Sequence, residues 1–416
     1  MIVSVIGLGY IGLPTAAIIA SHGVKVIGVD LNQDTINIIN QGKAHIIEPE
    51  LDSLVKKTIE NGNFIATNKP QKSDVFIITV PTPFLDDYSP DISYIKSAVK
   101  SIAPVLAKGN IIILESTSPV GTTEEIAKLL ASERKDLIFP NLGNDKIDFD
   151  ISIAYCPERV LPGNIISELI ENSRIVGGMT NKCSKRAIEV YKIFVKSDCV
   201  ASDCRTAELA KLVENSFRDV NIAFANELSL ISDKLNINVW NLIELTNHHP
   251  RVNILQPGPG VGGHCIAVDP WFIINSLPDE TKLIKTAREV NDRKPQYILS
   301  MIDKAIKSTS KDVSNINITC LGLSFKADIE DLRGSPALAI VNKLCQYNLN
   351  KINIVEPNIS KLPKSFISEN VSLNSLDIAL DEADIIVVLV DHSEFKIIDR
   401  ALLLNKIIVD SKGLFN

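Results

Sequence analysis

No apolar run in this 416-residue chain reaches membrane-spanning length, and no basic segment precedes the first hydrophobic stretch, so residues 2–6 read as a strand and not as a targeting signal. Positive charge is in the minority. Lys and Arg number 43 against 50 Asp and Glu, a formal net charge of -7, which argues against a nucleic-acid or anionic-membrane partner while leaving room for a local basic pocket. Aromatic residues are only 5% of the chain, and no low-complexity tract or short repeat occurs. The seven cysteines are odd in number and scattered, which fits reduced thiols in a cytoplasm better than a disulfide framework. Cys199 and Cys204 lie close together but lack a second pair or nearby histidines, so no metal site is expected. What is there, 45% hydrophobic and 22% charged residues, suffices for two or three globular domains.

The most unusual stretch runs from Pro257 to Pro270, PGPGVGGHCIAVDP. Its glycines and prolines are incompatible with a regular helix or strand, so it reads as a shaped loop whose backbone can approach an anionic ligand closely. The loop sets one thiol, Cys265, four residues before one carboxylate, Asp269. Two readings stand: a nucleophile with a helper, or a buried cysteine behind a Gly-rich turn.

At the other end, an apolar run over residues 2–6 leads into Gly7-Leu8-Gly9-Tyr10-Ile11-Gly12, a helical stretch, and a second apolar run ending in Asp30. Strand, glycine turn, helix, strand and acid in that order form a dinucleotide-binding fingerprint. The turn admits a pyrophosphate to the helix N-terminus, and Asp30 accepts from a ribose diol while repelling a 2′-phosphate, so the cofactor is expected to be NAD. Further strands are expected at 74–80, 110–115 and 151–155, with helices over 93–103 and 123–131. Thr82 and Thr117 follow two of these strands, placed either to touch the cofactor or to cap the next turn. Glu158 and Arg159, packed between prolines, form either a recognition loop or a solvated turn.

Beyond Asp203 a helix is expected over 206–234, roughly 45 Å long at ~1.5 Å per residue. Lys211, Asn215 and Arg218 share one stripe of it, and interleaved Leu212, Val213, Phe217, Val220, Phe224 and Leu228 suggest that most of its circumference is buried. Helices at 239–247, 281–292 and 295–307 follow. Strands at 316–321, 351–355, 384–390 and 406–409 then build a second α/β unit without the glycine fingerprint, whose phosphate grip would depend on Lys326 and Arg333.

Taken together, Gly7-x-Gly9-x-x-Gly12, Pro81-Thr82-Pro83, Ser116-Thr117-x-Pro119-x-Gly121-Thr122, Pro157-Glu158-Arg159, Glu208-x-x-Lys211-x-x-x-Asn215, Gly262-Gly263-His264-Cys265-x-x-x-Asp269 and Phe325-Lys326-Ala327-Asp328-x-x-Asp331-x-Arg333 resemble the UDP-glucose/GDP-mannose dehydrogenase family, the UDP-sugar 6-dehydrogenases, over essentially the whole chain. Stretches 159–163, 251–255 and 286–292 look most like the members that oxidise 2-acetamido sugars. UDP-glucose enzymes commonly carry an acid near the place of Pro162. The resemblance implies an α/β fold with two Rossmann-like doubly wound domains joined by a long central helix and a helical dimerisation region. Residues 1–197 would bind NAD, 198–300 would form the dimer and carry the catalytic loop, and 301–416 would bind the UDP-sugar.

It further implies four-electron oxidation of a C6 hydroxyl to a carboxylate, using two NAD⁺, for surface polysaccharide synthesis. Cys265 would carry a thiohemiacetal and then a thioester, with Lys211 favouring its thiolate. Lys211 and Asn215 would stabilise the oxyanion, and Asp269, Thr117 and Glu158 would position and deprotonate water. Gly7, Gly9, Tyr10, Ile11, Gly12, Asp30, Thr82, Thr117 and Arg333 would meet the cofactor. Arg159, Val160, Lys211, Asn215 and Arg218 would hold the UDP-sugar, together with His249, Arg251, Gly262, Lys326 and Lys412. A homodimer at least is implied, with Arg251 acting across the interface. A family member acting on UDP-N-acetyl-D-glucosamine or UDP-glucose, a two-electron hydroxyacid dehydrogenase, which has no need of Cys265, and a non-catalytic nucleotide-sugar sensor are the competing readings.

Overall fold

The computed structural model describes every residue except 86, 147, 365, 367–369 and 416. The chain divides into two compact units, one formed by Met1–Glu214 with Trp271–Ser276, the other by Asn215–Pro270 with Leu277–Asn416.

In the first unit, β1 (Ile2–Ile6), β2 (Lys25–Val29), β3 (Phe64–Thr67), β4 (Val75–Ile78), β5 (Ile111–Leu114), β6 (Ser152–Tyr155), β7 (Arg174–Gly178) and β8 (Cys199–Asp203) form one sheet in the order β3-β2-β1-β4-β5-β6-β7-β8. Only the β6–β7 pairing is antiparallel. The central runs VFII and IIIL are apolar at every residue, and IVSVI at all but the buried Ser4, because helices cover both faces of the sheet. Alternate side chains accordingly enter two separate cores: Val3, Val5, Ile77 and Ile113 in one, Ile6, Phe76, Ile78 and Ile112 in the other. The expected strands are present. β3, β7 and β8 were not legible in the pattern; β8, CVASD, is short, has no buried residue and ends in two polar ones, so no long apolar run marks it.

The second unit carries a five-stranded, all-parallel sheet ordered β11-β10-β9-β12-β13, from β9 (Asn317–Leu321), β10 (Lys351–Val355), β11 (Val371–Leu373), β12 (Ile385–Val388) and β13 (Ile407–Asp410). Two Rossmann-type sheets are therefore present, the first parallel except at β6–β7 and the second parallel throughout, as the motifs implied.

Two helical expectations are corrected. Residues 281–307 do not break into two helices: one helix runs Lys282–Ser308 with Pro295 inside it. An interior proline costs about 3 kcal/mol. Here the buried anchors Arg288, Asn291, Ile298 and Leu299 on either side hold the helix together across it. The long helix, Cys204–Leu235, buries Ala207, Leu212 and Ala223, but Leu209, Val213, Phe217, Phe224, Ile231 and Leu235 form an exposed apolar stripe, so its circumference is only partly covered within one chain.

Candidate active site

β1 leads into the glycine turn and the helix Gly12–Ser21. A Cβ on Gly12 would overlap the Gly7 carbonyl oxygen and the Thr79 hydroxyl, so this position is closed by the protein itself. A Cβ on Gly9 would meet nothing within 4 Å. Packing therefore explains Gly12 and leaves Gly9 to be explained by something that approaches from outside, which is what a diphosphate at this turn does. The helix has no side-chain cap and no acid in its first turn, so its positive end is not neutralised from within. At the end of β2, the Asp30 carboxylate accepts from Leu8 N (2.9 Å) and Asn32 N (2.9 Å), which aims it across the turn at the level a ribose diol would occupy. The residues fit NAD. Gly12→Ala is expected to lower the melting temperature by several degrees, through overpacking worth more than about 2 kcal/mol. Gly9→Ala should melt like the parent yet bind NAD at least about tenfold more weakly, about 1.4 kcal/mol, by titration calorimetry.

β4 and β5 are tied at their carboxyl ends, where Ser116 Oγ donates to the Val80 carbonyl (2.7 Å), fixing the segments that carry Thr82 and Thr117. Neighbouring Glu115 belongs to a buried cluster around Arg174. Arg174 Nη2 donates to Glu158 Oε2 (3.0 Å), its Nη1 lies 3.9 Å from Glu115 Oε1, and its guanidinium sits 4.8 Å from the Tyr191 ring centre. Burial pushes the Glu115 carboxyl up to about 7, against the opposing pull of Arg174 and aided by Glu158. Glu158 is thus engaged at both oxygens, since Oε1 accepts from Arg159 N (2.6 Å).

Lys211, buried on the long helix, donates Nζ to the Glu158 carbonyl (2.9 Å). One turn earlier Glu208 accepts from Gly121 N (2.6 Å) and Thr123 N (2.7 Å), capping the helix Thr122–Glu133. Arg159 reaches Glu214 (2.9 Å) and the Ser173 carbonyl, and Val160 packs against the core. Glu48, which no motif singled out, accepts from Gly163 N (2.9 Å) and Ile165 N (2.7 Å) and fixes the loop after Arg159. Its pairing spans more than a hundred residues, so no local signal announces it.

In the second unit, the Gly-rich loop ends at the helix Asp269–Ser276. Asp269 N and Val268 N both donate to the Cys265 carbonyl (2.9 and 3.1 Å), a turn that presents the thiol. Among the seven cysteines Cys265 is the exposed one, while Cys156, Cys183, Cys204 and Cys320 are buried, so the buried-cysteine reading does not hold for it. Asp269, itself buried, accepts from Asn215 Nδ2 (2.5 Å). Cys265, Asp269 and Asn215 are therefore brought together. Gly262 lies where a Cβ would press on the Gly334 carbonyl and Phe325, and Arg333 clasps Asp331 through two hydrogen bonds (2.9 and 2.6 Å). Burial and the charge of Arg333 lower the pKa of His264. Arg218, His249, Arg251 and Lys326 are exposed, and His249 Nδ1 accepts from Arg251 N (3.3 Å). Lys412 pairs with Asp391 (3.0 Å) beside an open hollow of about 760 Å³ lined also by Trp240, Asn241 and Glu244.

The turn after β9 copies the first unit's device and closes it. Glu356, at the end of β10, accepts from Leu323 N (2.7 Å) and Ser324 N (3.0 Å) as Asp30 accepts from Leu8 N, but His392 Nε2 sits 3.0 Å from the same oxygen. Both side chains are buried, so no diol can reach that carboxylate.

Two Rossmann-type sheets and an open glycine turn with its acid define a nucleotide-dependent dehydrogenase. The chain belongs to the UDP-glucose/GDP-mannose dehydrogenase family: it matches that family's NAD-binding domain over residues 1–195, its central domain over 205–293 and its UDP-binding domain over 319–416. It is 60% identical to UDP-N-acetyl-D-mannosamine dehydrogenase of Campylobacter jejuni over 94% of this chain and 96% of that protein. It is 52% identical to NDP-N-acetyl-D-galactosaminuronic acid dehydrogenase of Ralstonia nicotianae over 100% of this chain and 96% of that one. The structure of UDP-D-ManNAc dehydrogenase from Pyrococcus horikoshii superposes with a TM-score of 0.88 at 38% identity, covering 100% of this chain and 96% of that chain. The chain is thus an oxidoreductase that uses NAD. No helix among the described residues is long and apolar enough to cross a membrane.

Proposed function

We propose that the protein oxidises the C6 hydroxyl of UDP-N-acetyl-D-mannosamine to the carboxylate. The observation that carries the chemistry is the exposed Cys265 thiol one turn ahead of Asp269, whose carboxylate is held by Asn215. The 60% identity to a protein of that name supports the substrate. NAD⁺ supplies the hydride acceptor in each of two steps. Lys211 and Asn215 stabilise the sugar oxygen as its proton leaves and the aldehyde forms. The Cys265 thiolate adds to that aldehyde, the thiohemiacetal loses the second hydride to become a thioester, and water hydrolyses it to carboxylate and thiol. Asp269 and Thr117 orient that water and Glu158 helps take its proton.

In this reading residues 1–197 bind NAD, 198–300 carry the catalytic loop and the dimer surface, and 301–416 hold the UDP moiety. Thr82, Arg333 and the Gly7–Gly12 turn meet the cofactor. Arg159, Val160, Arg218, His249, Arg251, Gly262, Lys326 and Lys412 meet the UDP-sugar. The apolar stripe Val213, Phe217, Phe224 and Ile231 supports a homodimer, and the scatter of reduced thiols supports a cytoplasmic enzyme of surface-polysaccharide synthesis. The 52% identity to an N-acetylgalactosaminuronic acid enzyme favours a second reading with another 2-acetamido epimer. The test is NADH formed per sugar consumed with UDP-N-acetylmannosamine, UDP-N-acetylglucosamine, UDP-N-acetylgalactosamine and UDP-glucose. Two NADH with the first alone are expected; two with another sugar overturn the substrate, and one NADH overturns the thioester route.

A further inference from the structure

A directed chain of buried hydrogen bonds ends on the loop that carries Cys265. Arg288, 1% exposed, donates Nη1 to Asp219 Oδ1 (2.6 Å). Asn291 Nδ2 donates to the same oxygen (2.8 Å) and to the Asp219 carbonyl (3.0 Å). Asn226 Nδ2 donates to Asn291 Oδ1 (2.8 Å), and Asn226 Oδ1 accepts from Gly258 N (2.9 Å). Asp219, Asn226, Arg288 and Asn291 are all buried.

The sequence of donors and acceptors has one self-consistent direction. The Gly258 N–H can only donate, so Asn226 must turn its carbonyl to the loop and its amide to Asn291. Asn291 must then turn its own amide to the Asp219 carboxylate, which Arg288 holds in the charged form. Burial raises the Asp219 carboxyl, which settles at about 6 because Arg288 and Asn291 oppose the rise.

The network meets the loop a second time through the Asn291 backbone. A Cβ on Gly260 would stand 3.3 Å from the Asn291 carbonyl oxygen, at a φ of +141° that a side chain tolerates poorly. Pro295, four residues on, has no N–H to donate to that carbonyl. The helix that carries the proline therefore presents a carbonyl edge against which the loop is laid.

We propose that Asn226 and Asn291, oriented by the Arg288–Asp219 ion pair, are positioning residues that set the Cys265 loop in its reactive conformation. Their hydrogen bonds go neither to the Cys265 thiol nor to the Asp269 carboxylate, and they act through the Gly258 and Gly260 backbone. The inference deepens the reading of Cys265 as the nucleophile and rests on it.

The chain's directionality supplies the test. Asn226→Asp keeps the acceptor for Gly258 but sets a carboxylate oxygen against Asn291 Oδ1. Turning the Asn291 amide over would cure that contact while facing its oxygen to Asp219. Asn226→Ala removes the acceptor for Gly258 and the donor to Asn291 together and introduces no charge. Two readouts are taken on the full-length protein: the rate at which iodoacetamide alkylates Cys265, followed by peptide mass spectrometry without substrate, and kcat with KM for NAD. For N226D and N226A alike, alkylation and kcat are expected to change by about tenfold at unaltered KM for NAD. Parent-like alkylation and kcat in either variant overturn the proposal. If N226D does not fold, N226A decides by the same two readouts, and misfolding of both overturns the proposal, since the network would then hold the whole fold and not the loop. Alkylation reads the loop independently of turnover, so a failure of the covalent mechanism, seen as full product formation by Cys265→Ser, is distinguishable from a failure of this inference.

Discussion

Cys265→Ser is expected to stop complete oxidation, lowering formation of the carboxylate product by at least about 10³-fold, the scale on which removal of a covalent nucleophile is felt. A serine hydroxyl at this turn has the shape of the thiol without its acidity, so it supplies too little anion to trap the aldehyde. NADH formed in a single turnover should fall from two per sugar to one at most. NAD affinity should stay at the parent value, because the glycine turn and Asp30 belong to a unit with its own two cores. Cys156→Ser is the contrasting case: burial pushes that thiol up to about 12, so its loss should leave the NADH yield at two. A rapid-mixing absorbance trace at 340 nm with enzyme in excess, read in the same sample as a carboxylate assay, checks both variants. Two NADH per sugar from Cys265→Ser would remove the thioester from the mechanism.

The second large effect concerns Arg174, 3% exposed. Its guanidinium is the cation between two carboxylates, 3.0 Å from Glu158 and 3.9 Å from Glu115, and it lies over Tyr191 and, at 5.6 Å, Phe194. Arg174→Met keeps the apolar packing and strands both acids, so the first unit should lose about 3–5 kcal/mol, as when one partner of a buried pair is removed. Urea unfolding followed by tyrosine and tryptophan fluorescence measures it, and an unchanged midpoint would show the cluster to be electrostatically idle.

The same cluster has a pH signature. Folding raises the Glu115 carboxyl from an ordinary 4.5 to about 7. Between those values the folded chain holds a proton that the unfolded chain has released. Its contribution is therefore fully present below about pH 4.5 and is lost as pH rises through about 7. Glu115→Gln should flatten stability across that window. In Arg174→Met the group that draws the carboxyl down is gone, so the decline should extend to higher pH.

Much of this protein could be read from the chain itself. Strands whose residues are all apolar announce a sheet covered on both faces, and Gly7-x-Gly9-x-x-Gly12 followed by Asp30 announces a diphosphate turn, because both signals are local: neighbouring residues share one backbone geometry. The grouping of Cys265 with Asp269 was legible for the same reason, since thiol, glycines and carboxylate lie within one loop. What stayed hidden depends on partners distant along the chain. Glu48 fixing Gly163, Glu208 capping the helix at Thr122, and Arg174 between Glu115 and Glu158 have no spacing to recognise. Pro295 was misread as a break because its cost is local, whereas the buried Arg288 and Asn291 that outweigh it act through the second unit's interior. Lys211 and Asn215 could be placed on one helix from sequence. That Lys211 grips the Glu158 carbonyl while Asn215 grips Asp269 was decided only by the tertiary structure, because which hydrogen bond a buried polar group makes depends on what folding leaves within 3 Å of it.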